Sequence, residues 1–343
     1  MHLAFYSVLI LICTLMPVGL ILAEEAKEAE EFISLTLEND LWGSGEDRHY
    51  THGTKIGYLT TDVPVWLNAI GEQWLCDSCR DESAVEFVLG QNIFTPDNIS
   101  TTELQEDDRP YAGWLYTGFT LYGVDLCNDK NDPMGCNSLK YDALQLNIGM
   151  VGPASLADQT QTFVHELIDS PRPNGWDHQL SNEFGVMLSY TRRWQNFIHS
   201  GLFDSLEHDL SPHVVGALGN IYTYVGGGAL WRFGRNLRVD AGPNTVRPGL
   251  PGASYFVPKR GKGWYLFAGF EGRAMARNIF LDGNTFSDSH SVDKKPFVFD
   301  AQFGFAYRWE NVRLTLTNVF RSKEFKGQDK SDEYGAITLD FAL

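Results

Sequence analysis

Three polar constellations in this chain could do chemistry. In the first, an alternating segment, Ile33-Ser34-Leu35-Thr36-Leu37, ends in Glu38-Asn39-Asp40 and restarts at Tyr50-Thr51-His52-Gly53. With a period of two, Ile33, Leu35 and Leu37 share one face and Ser34, Thr36 and Glu38 the other, so Asn39 and Asp40 fall at a strand tip. A returning strand from about Thr51 to Thr61 makes Asp40 and Thr51 neighbours at one rim. The second block, Asp107-Asp108-Arg109-Pro110-Tyr111-Ala112-Gly113-Trp114, is an acidic loop leading into a strand. Its Asp108-Arg109 pair suits either a pin that holds the loop or a contact to a ligand. The third runs from Gly152 through Ile168, followed by Gly175-Trp176-Asp177-His178. From Ser155 to Ile168 the spacing is helical: Gln161 and His165 share a face, while Leu156, Phe163, Val164, Leu167 and Ile168 can pack. Such a helix projects over the rim an imidazole, the side chain that exchanges protons near neutral pH.

Two common hydrolase signatures fail. The second histidine of H-E-x-x-H would fall at Asp169, and there is no G-x-S-x-G elbow. A lone histidine on a helix is usually structural. Its company matters more, because strand counting assigns Asn39, Asp40, Thr51, Asp108, Arg109 and His165 to the same end of the molecule.

The elements that must hold these groups read as a barrel wall. Phe297, Phe299, Ala301, Phe303, Phe305 and Tyr307 alternate with Asp300, Gln302, Gly304 and Arg308; Leu144, Leu146, Ile148 and Met150 alternate with Gln145, Asn147 and Gly149. Further strands are expected at 84–94, 114–124, 183–195, 213–220, 222–233, 264–275, 312–321 and 334–343. The whole makes an all-β, antiparallel transmembrane barrel of about twelve strands. Its second face carries Gln, Asn, Asp, Arg, Thr and Gly, so polar groups face inward and apolar groups face lipid. A short helix sits in an extracellular loop, and the turns 41–49, 95–113 and 153–180 lie at the outer surface. The Gly/Pro-rich segment 241–262 reads as a long turn at the other end.

Residues 3 to 22 lack Lys, Arg, Asp and Glu, and Ile21-Leu22-Ala23 precedes Glu24-Glu25. We therefore expect a signal peptide over 1–23 and a single barrel domain over 24–343. A single-pass anchor is the alternative, since the run is long enough to span and lacks a positive n-region. The 27 Lys and Arg against 44 Asp and Glu give a net charge of −17. With no basic patch, a nucleic-acid partner is excluded. An anionic lipid would need a divalent cation or a few placed bases. After processing, Cys76, Cys79, Cys127 and Cys136 remain, in a compartment that permits disulfides. The expected pairing is 76–79 with 127–136, one of three that four cysteines allow.

Taken together, Glu38-Asn39-Asp40, Asp47-Arg48-His49-Tyr50-Thr51-His52-Gly53, Asp108-Arg109-Pro110-Tyr111-Ala112-Gly113 and Gly152-Pro153 with Gln161-x-x-x-His165 resemble the outer-membrane lipid A 3′-O-deacylase (LpxR) family. The resemblance covers the mature chain, with motifs strongest in 38–57, 107–118 and 148–180. It implies a twelve-stranded barrel with an active site between the wall and a loop helix, facing the cell exterior. It also implies Ca2+-dependent hydrolysis of the 3′-linked acyloxyacyl ester of lipid A by a monomer among outer-membrane lipids. By the same resemblance, Asn39, Asp40, Thr51 and His165 are catalytic, with His165 as general base and Asp40 as a metal ligand. Gln161, Asp108 and Arg109 bind substrate or support the site. The chain departs from the family where a glutamate can follow the catalytic histidine, for it has Ser170-Pro171-Arg172, and its acidic second loop lacks the family's basic residues. The competing readings are a non-enzymatic barrel, either a pore or a binding protein, and a phospholipid esterase.

Overall fold

The computed structural model describes residues 31–43, 48–74, 82–125, 139–202, 205–237, 242–243 and 262–343. Residues 1–30 with the expected signal peptide, Cys76, Cys79, Cys127, Cys136 and most of 241–262 lie outside the described residues, and with them the disulfide pairing.

Chain order is β1 (Glu31–Asn39), β2 (His49–Thr60), β3 (Glu82–Thr95), β4 (Ala112–Asp125), β5 (Leu139–Val151), β6 (Glu183–Gln195), β7 (Ile198–Gly201), β8 (Glu207–Gly219), β9 (Tyr222–Arg235), β10 (Gly263–Asn278), β11 (Phe297–Trp309), β12 (Val312–Arg321) and β13 (Asp332–Ala342). Every pairing between them is antiparallel. Each strand pairs with its sequence neighbour except that β6 and β7 do not pair with each other; β6 pairs with β8 and β1 with β13, so the sheet closes on itself. The short β7 continues β6 past a kink at Asn196, whose φ is 56°, and both pair with β8. The ring therefore has twelve strands, as the alternation predicts. Closure leaves no strand edge with unsatisfied backbone groups, which is the condition for crossing lipid with strands. Among the described residues, no helix is long and apolar enough to cross a membrane.

The alternation holds along the wall. Phe297, Phe299, Phe303, Phe305 and Tyr307 are exposed on the outside, while Asp300 and Arg308 are buried on the inside. Inside, the mouth is filled by rings: Tyr50, Phe94, Trp114, Tyr116, Tyr222, Tyr224 and Tyr334 are all buried. A single turn of helix between β10 and β11 (Ile279–Asp282) drops Phe280 among them, its ring stacked 4.1 Å from that of Phe94. Deeper in the lumen, Asp300 accepts hydrogen bonds from Arg273 at 2.6 Å and from Arg321 at 2.9 Å; lower still, Arg232 pairs with Asp209 at 2.6 Å and Arg313 with Asp340 at 2.9 Å. Buried charges are tolerable only when paired in this way.

Among the described residues, three α-helices decorate the ring. α1 (Val65–Trp74), which the strand pattern does not announce, packs Leu67 against Val85 and Leu121 on the outer wall near the end opposite Asn39. α2 (Ala157–Ile168) lies in the β5–β6 connection, two residues shorter at its start than the spacing predicts because Pro153–Ser155 form a separate 3-10 turn. The third, α3, is the Ile279–Asp282 turn. The β1–β2, β3–β4 and β5–β6 connections gather at one rim, joined there by 279–296 and 322–331.

Two outcomes follow. Purified protein in planar bilayers should show no stepwise ion conductance, and sustained steps would contradict a filled lumen. Asp300→Ala leaves Arg273 and Arg321 without their shared carboxylate, so it should lower unfolding free energy by about 3–5 kcal/mol, read as the urea midpoint in detergent.

Candidate active site

The first group of candidates forms where β1 turns over. Asn39 belongs to the outward row of Ile33, Leu35 and Leu37, whereas Ser34 and Thr36 are buried on the lumen side. Its amide is used at both ends: Oδ1 accepts from Leu41 N and Nδ2 donates to Thr51 O, each at 2.9 Å. Asp40 opens a single 3-10 turn (Asp40–Trp42) and is buried, with its Oδ2 accepting from Arg48 N at 2.6 Å. These bonds close the turn and hold the β2 start beside the β1 tip. The register between β2 and β3 then slips between Tyr50 and His52, so Thr51 is a bulged residue. A bulge re-aims its side chain, and here Thr51 Oγ1 shares a hydrogen bond of 2.7 Å with Thr95 Oγ1 at the β3 tip. Asn39, Thr51 and Thr95 thus meet at one tip on the outer row of the wall, with Asp40 in the turn that follows it.

The second group stands on α2. Gly113 on the outer row of β4 allows the approach, since a Cβ there would lie 2.2 Å from both Ala157 Cβ and Ser155 Oγ. Ser155 O accepts from Gln91 Nε2 at 2.7 Å, and Ala157 packs with Ile93, Ile99, Tyr111 and Trp176. The residues that turn to the wall are Ala157, Gln161 and His165, while Phe163 is 66% and Leu167 63% exposed. This corrects the expected packing of the apolar stripe. The helix carries its polar stripe inward and its apolar stripe outward, the arrangement expected of a helix lying at a membrane interface.

Within that stripe the chemistry is specific. Trp176 Nε1, which can only donate, gives its hydrogen bond to Gln161 Oε1 at 2.9 Å. That fixes the amide orientation and leaves Gln161 Nε2, a buried donor, without a hydrogen-bond partner. One turn on, α2 ends at Asp169 in the left-handed conformation (φ 55°), Ser170 N donates to His165 O, and the chain doubles back. Pro171 O then accepts from His165 Nδ1 at 2.5 Å. A carbonyl can only accept, so Nδ1 carries a proton, and in the neutral ring the lone pair is on Nε2. The ring thus has a backbone carbonyl beside it where the chain doubles back. The two groups are joined through β3, whose outward row runs Gln91, Ile93, Thr95 from the foot of α2 to Thr51. Thr95, Trp176 and Pro171 were not singled out as candidates from sequence; only Trp176, in the Gly-Trp-Asp-His run, carried a signal.

Asp108 and Arg109 lie elsewhere, in the seam that closes the mouth of the lumen. Asp108 accepts from the N–H groups of Asp97 and Arg109, both at 2.7 Å, and faces His49 Nε2 at 3.5 Å. His49 Nδ1 in turn meets Asp332 at 2.6 Å. Arg109 is fully buried against the Phe94 ring and Glu324. The pair ties the β3–β4 loop to the β12–β13 loop.

A family model described as "Outer membrane protein LpxR" matches residues 7–343. The chain belongs to the LpxR family. The protein is accordingly a bacterial outer-membrane barrel. Among solved structures, LpxR from Salmonella typhimurium superposes with a TM-score of 0.71 at 20% identity, covering 91% of this chain and all of that one. The β domain of the Bordetella autotransporter BrkA matches with a TM-score of 0.44 at 10% identity, over 92% of this chain and all of its own. No curated protein matches the chain.

The seam makes the rim pH-sensitive. Burial alone would raise the Asp108 pKa, but the His49 hydrogen bond and charge, with the two N–H groups, hold it below the ordinary carboxyl range. Such a group stabilises the fold above its unfolded pKa of about 3.9, and that contribution is lost as pH falls through the folded value. Asp108→Asn should therefore cost about 1–2 kcal/mol at pH 7, with a urea midpoint that declines less steeply than wild type from about pH 5 to about pH 3.

Proposed function

We propose that the protein is a lipid A deacylase that removes the 3′-linked acyloxyacyl group by ester hydrolysis at the cell-facing rim. Membership of the LpxR family supports this reading. The observation that carries it is the buried Gln161–His165 stripe, held against the outer wall at the same rim as the Asn39–Thr51–Thr95 tip by a helix whose other face is apolar. A site on the outer wall meets lipid directly, without extraction from the bilayer. The pore alternative is disfavoured by the ring-packed lumen.

His165 acts as general base. With Nδ1 committed to Pro171 O, Nε2 takes a proton from water as the oxygen adds to the ester carbonyl carbon. The tetrahedral intermediate collapses, the carbon–oxygen bond to the sugar breaks, and the Nε2 proton passes to the leaving oxygen. Products are a fatty acid and a free 3′-hydroxyl. Gln161 Nε2 is the donor available to the developing oxyanion, a role worth about 10²- to 10³-fold. Asn39, through Leu41 and Thr51, keeps the tip in shape.

The donor set near Asp40 fits calcium. Among the described residues no cluster of three or more His, Cys, Asp or Glu forms a cage. The tip offers one carboxylate, from Asp40, with neutral amide, hydroxyl and backbone oxygens. Hard, low-charge donors of this kind suit calcium, completed by water or ligand oxygens, and not zinc. When bound, the ion supplies Lewis-acid polarisation of the carbonyl.

The test is mass spectrometry of lipid A from cells making the protein, with calcium present or chelated. Loss of the 3′ acyl group is expected in calcium, and His165→Ala should lower the rate by about 10²- to 10⁴-fold while the barrel still assembles. An unaltered acyl pattern with calcium present would refute the assignment, and release of fatty acid from phospholipid alone would change the substrate.

A further inference from the structure

On the far side of β1 from α2, the outer wall carries a groove of about 520 Å³ over β10–β13. Leu266, Phe303, Leu316 and Ile337 line it, and Trp42 of the β1–β2 turn closes its rim end. Two close approaches set Trp42 in place. A Cβ on Gly335 would lie 2.7 Å from Trp42 Cβ, and one on Gly43 would lie 2.5 Å from Tyr334 N. Glycine at both positions lets the turn fold over the edge of the wall.

We propose that this groove is an acyl-chain subsite, holding a second fatty chain of the same lipid whose ester lies at the β1–β2 tip. The proposal rests on the function proposed above and extends it to substrate recognition. The occupant is hydrocarbon because the groove is continuous with the lipid-facing belt; Leu266, Phe303 and Leu316 are 49%, 50% and 43% exposed there. Its volume falls in the range of small-molecule sites, about 300–1,000 Å³. Direction is set by strand order. On the β3–β4 side the wall is covered by α2, and on the other side β13 lies one interstrand step, about 4.8 Å, from β1. Trp42 is two residues from Asp40, so the headgroup site and the chain groove share one turn. A multiply acylated lipid held at the tip thus finds open, dented wall over β13–β10. Trp42 and Leu316 then help determine which lipids are accepted.

The experiment compares Leu316→Trp, which fills the groove, with Leu314→Trp, an outward control two residues along β12 that does not line it. Kinetics are measured on fully acylated lipid A and on an under-acylated lipid A. Binding is measured separately, as retention of fully acylated lipid A by each variant in a His165→Ala background, using native mass spectrometry. Leu316→Trp is expected to raise KM for the full lipid about tenfold, the worth of about two buried methylene groups. Its kcat should stay within about twofold of wild type, KM for the under-acylated lipid should be unchanged, and lipid retention should fall. KM and retention equal to those of Leu314→Trp would overturn the subsite. Should wild type leave lipid A intact, the hydrolase assignment fails, and retention alone decides the groove: loss with Leu316→Trp supports it, and no loss overturns it.

Discussion

Hydrocarbon offers no hydrogen bonds, so every strand must be paired along both edges, and the site inherits its geometry from that requirement. β1 is flanked by β2 and β13, with Asn39 opposite His52 on one side and Gly335 on the other. In a strand a slip of one residue exchanges the two faces. This register sends Asn39 to the outer face and Glu38 inward, where it accepts a hydrogen bond from the Tyr50 hydroxyl. The same closure that makes the ring stable in lipid therefore decides that the polar tip looks out along the wall rather than into the lumen.

The same constraint inverts the logic of α2. In water, Phe163 and Leu167 would seek the protein and Gln161 and His165 would face solvent. Against an outer-membrane wall the polar stripe has nowhere to be satisfied except between helix and strand. Burial there orients both side chains: Trp176 sets the amide and Pro171 sets the ring. Desolvation and orientation thus come from one packing event, the seating of Ala157 on Gly113.

Much of this was readable from sequence. Period-two alternation gave the strands, the ring count and which rows face lipid, because the wall has one polar and one apolar side at every strand. The grouping of Asn39, Asp40, Thr51 and His165 at one rim followed from counting strands. Less accessible were features that depend on which face of a rim element meets which neighbour. Asp108 and Arg109 share the rim with His165, yet they turn into the mouth to bind His49 and Glu324, a choice set by loop paths without periodicity. Thr95 entered through a bulge at Thr51, and bulges leave no pattern in one strand alone. The helix 65–74 was missed because its apolar residues continue the outer belt instead of interrupting it. Pro171 acts through its carbonyl, which side-chain chemistry does not reveal.

The aromatic packing of the mouth, with Phe280 wedged against Phe94 and Tyr222, also has a physiological consequence. An open twelve-stranded ring would be a hole in the permeability barrier, and each added copy would admit solutes that the envelope exists to keep out. A ring stoppered by its own side chains can be abundant in the membrane without making the cell leaky.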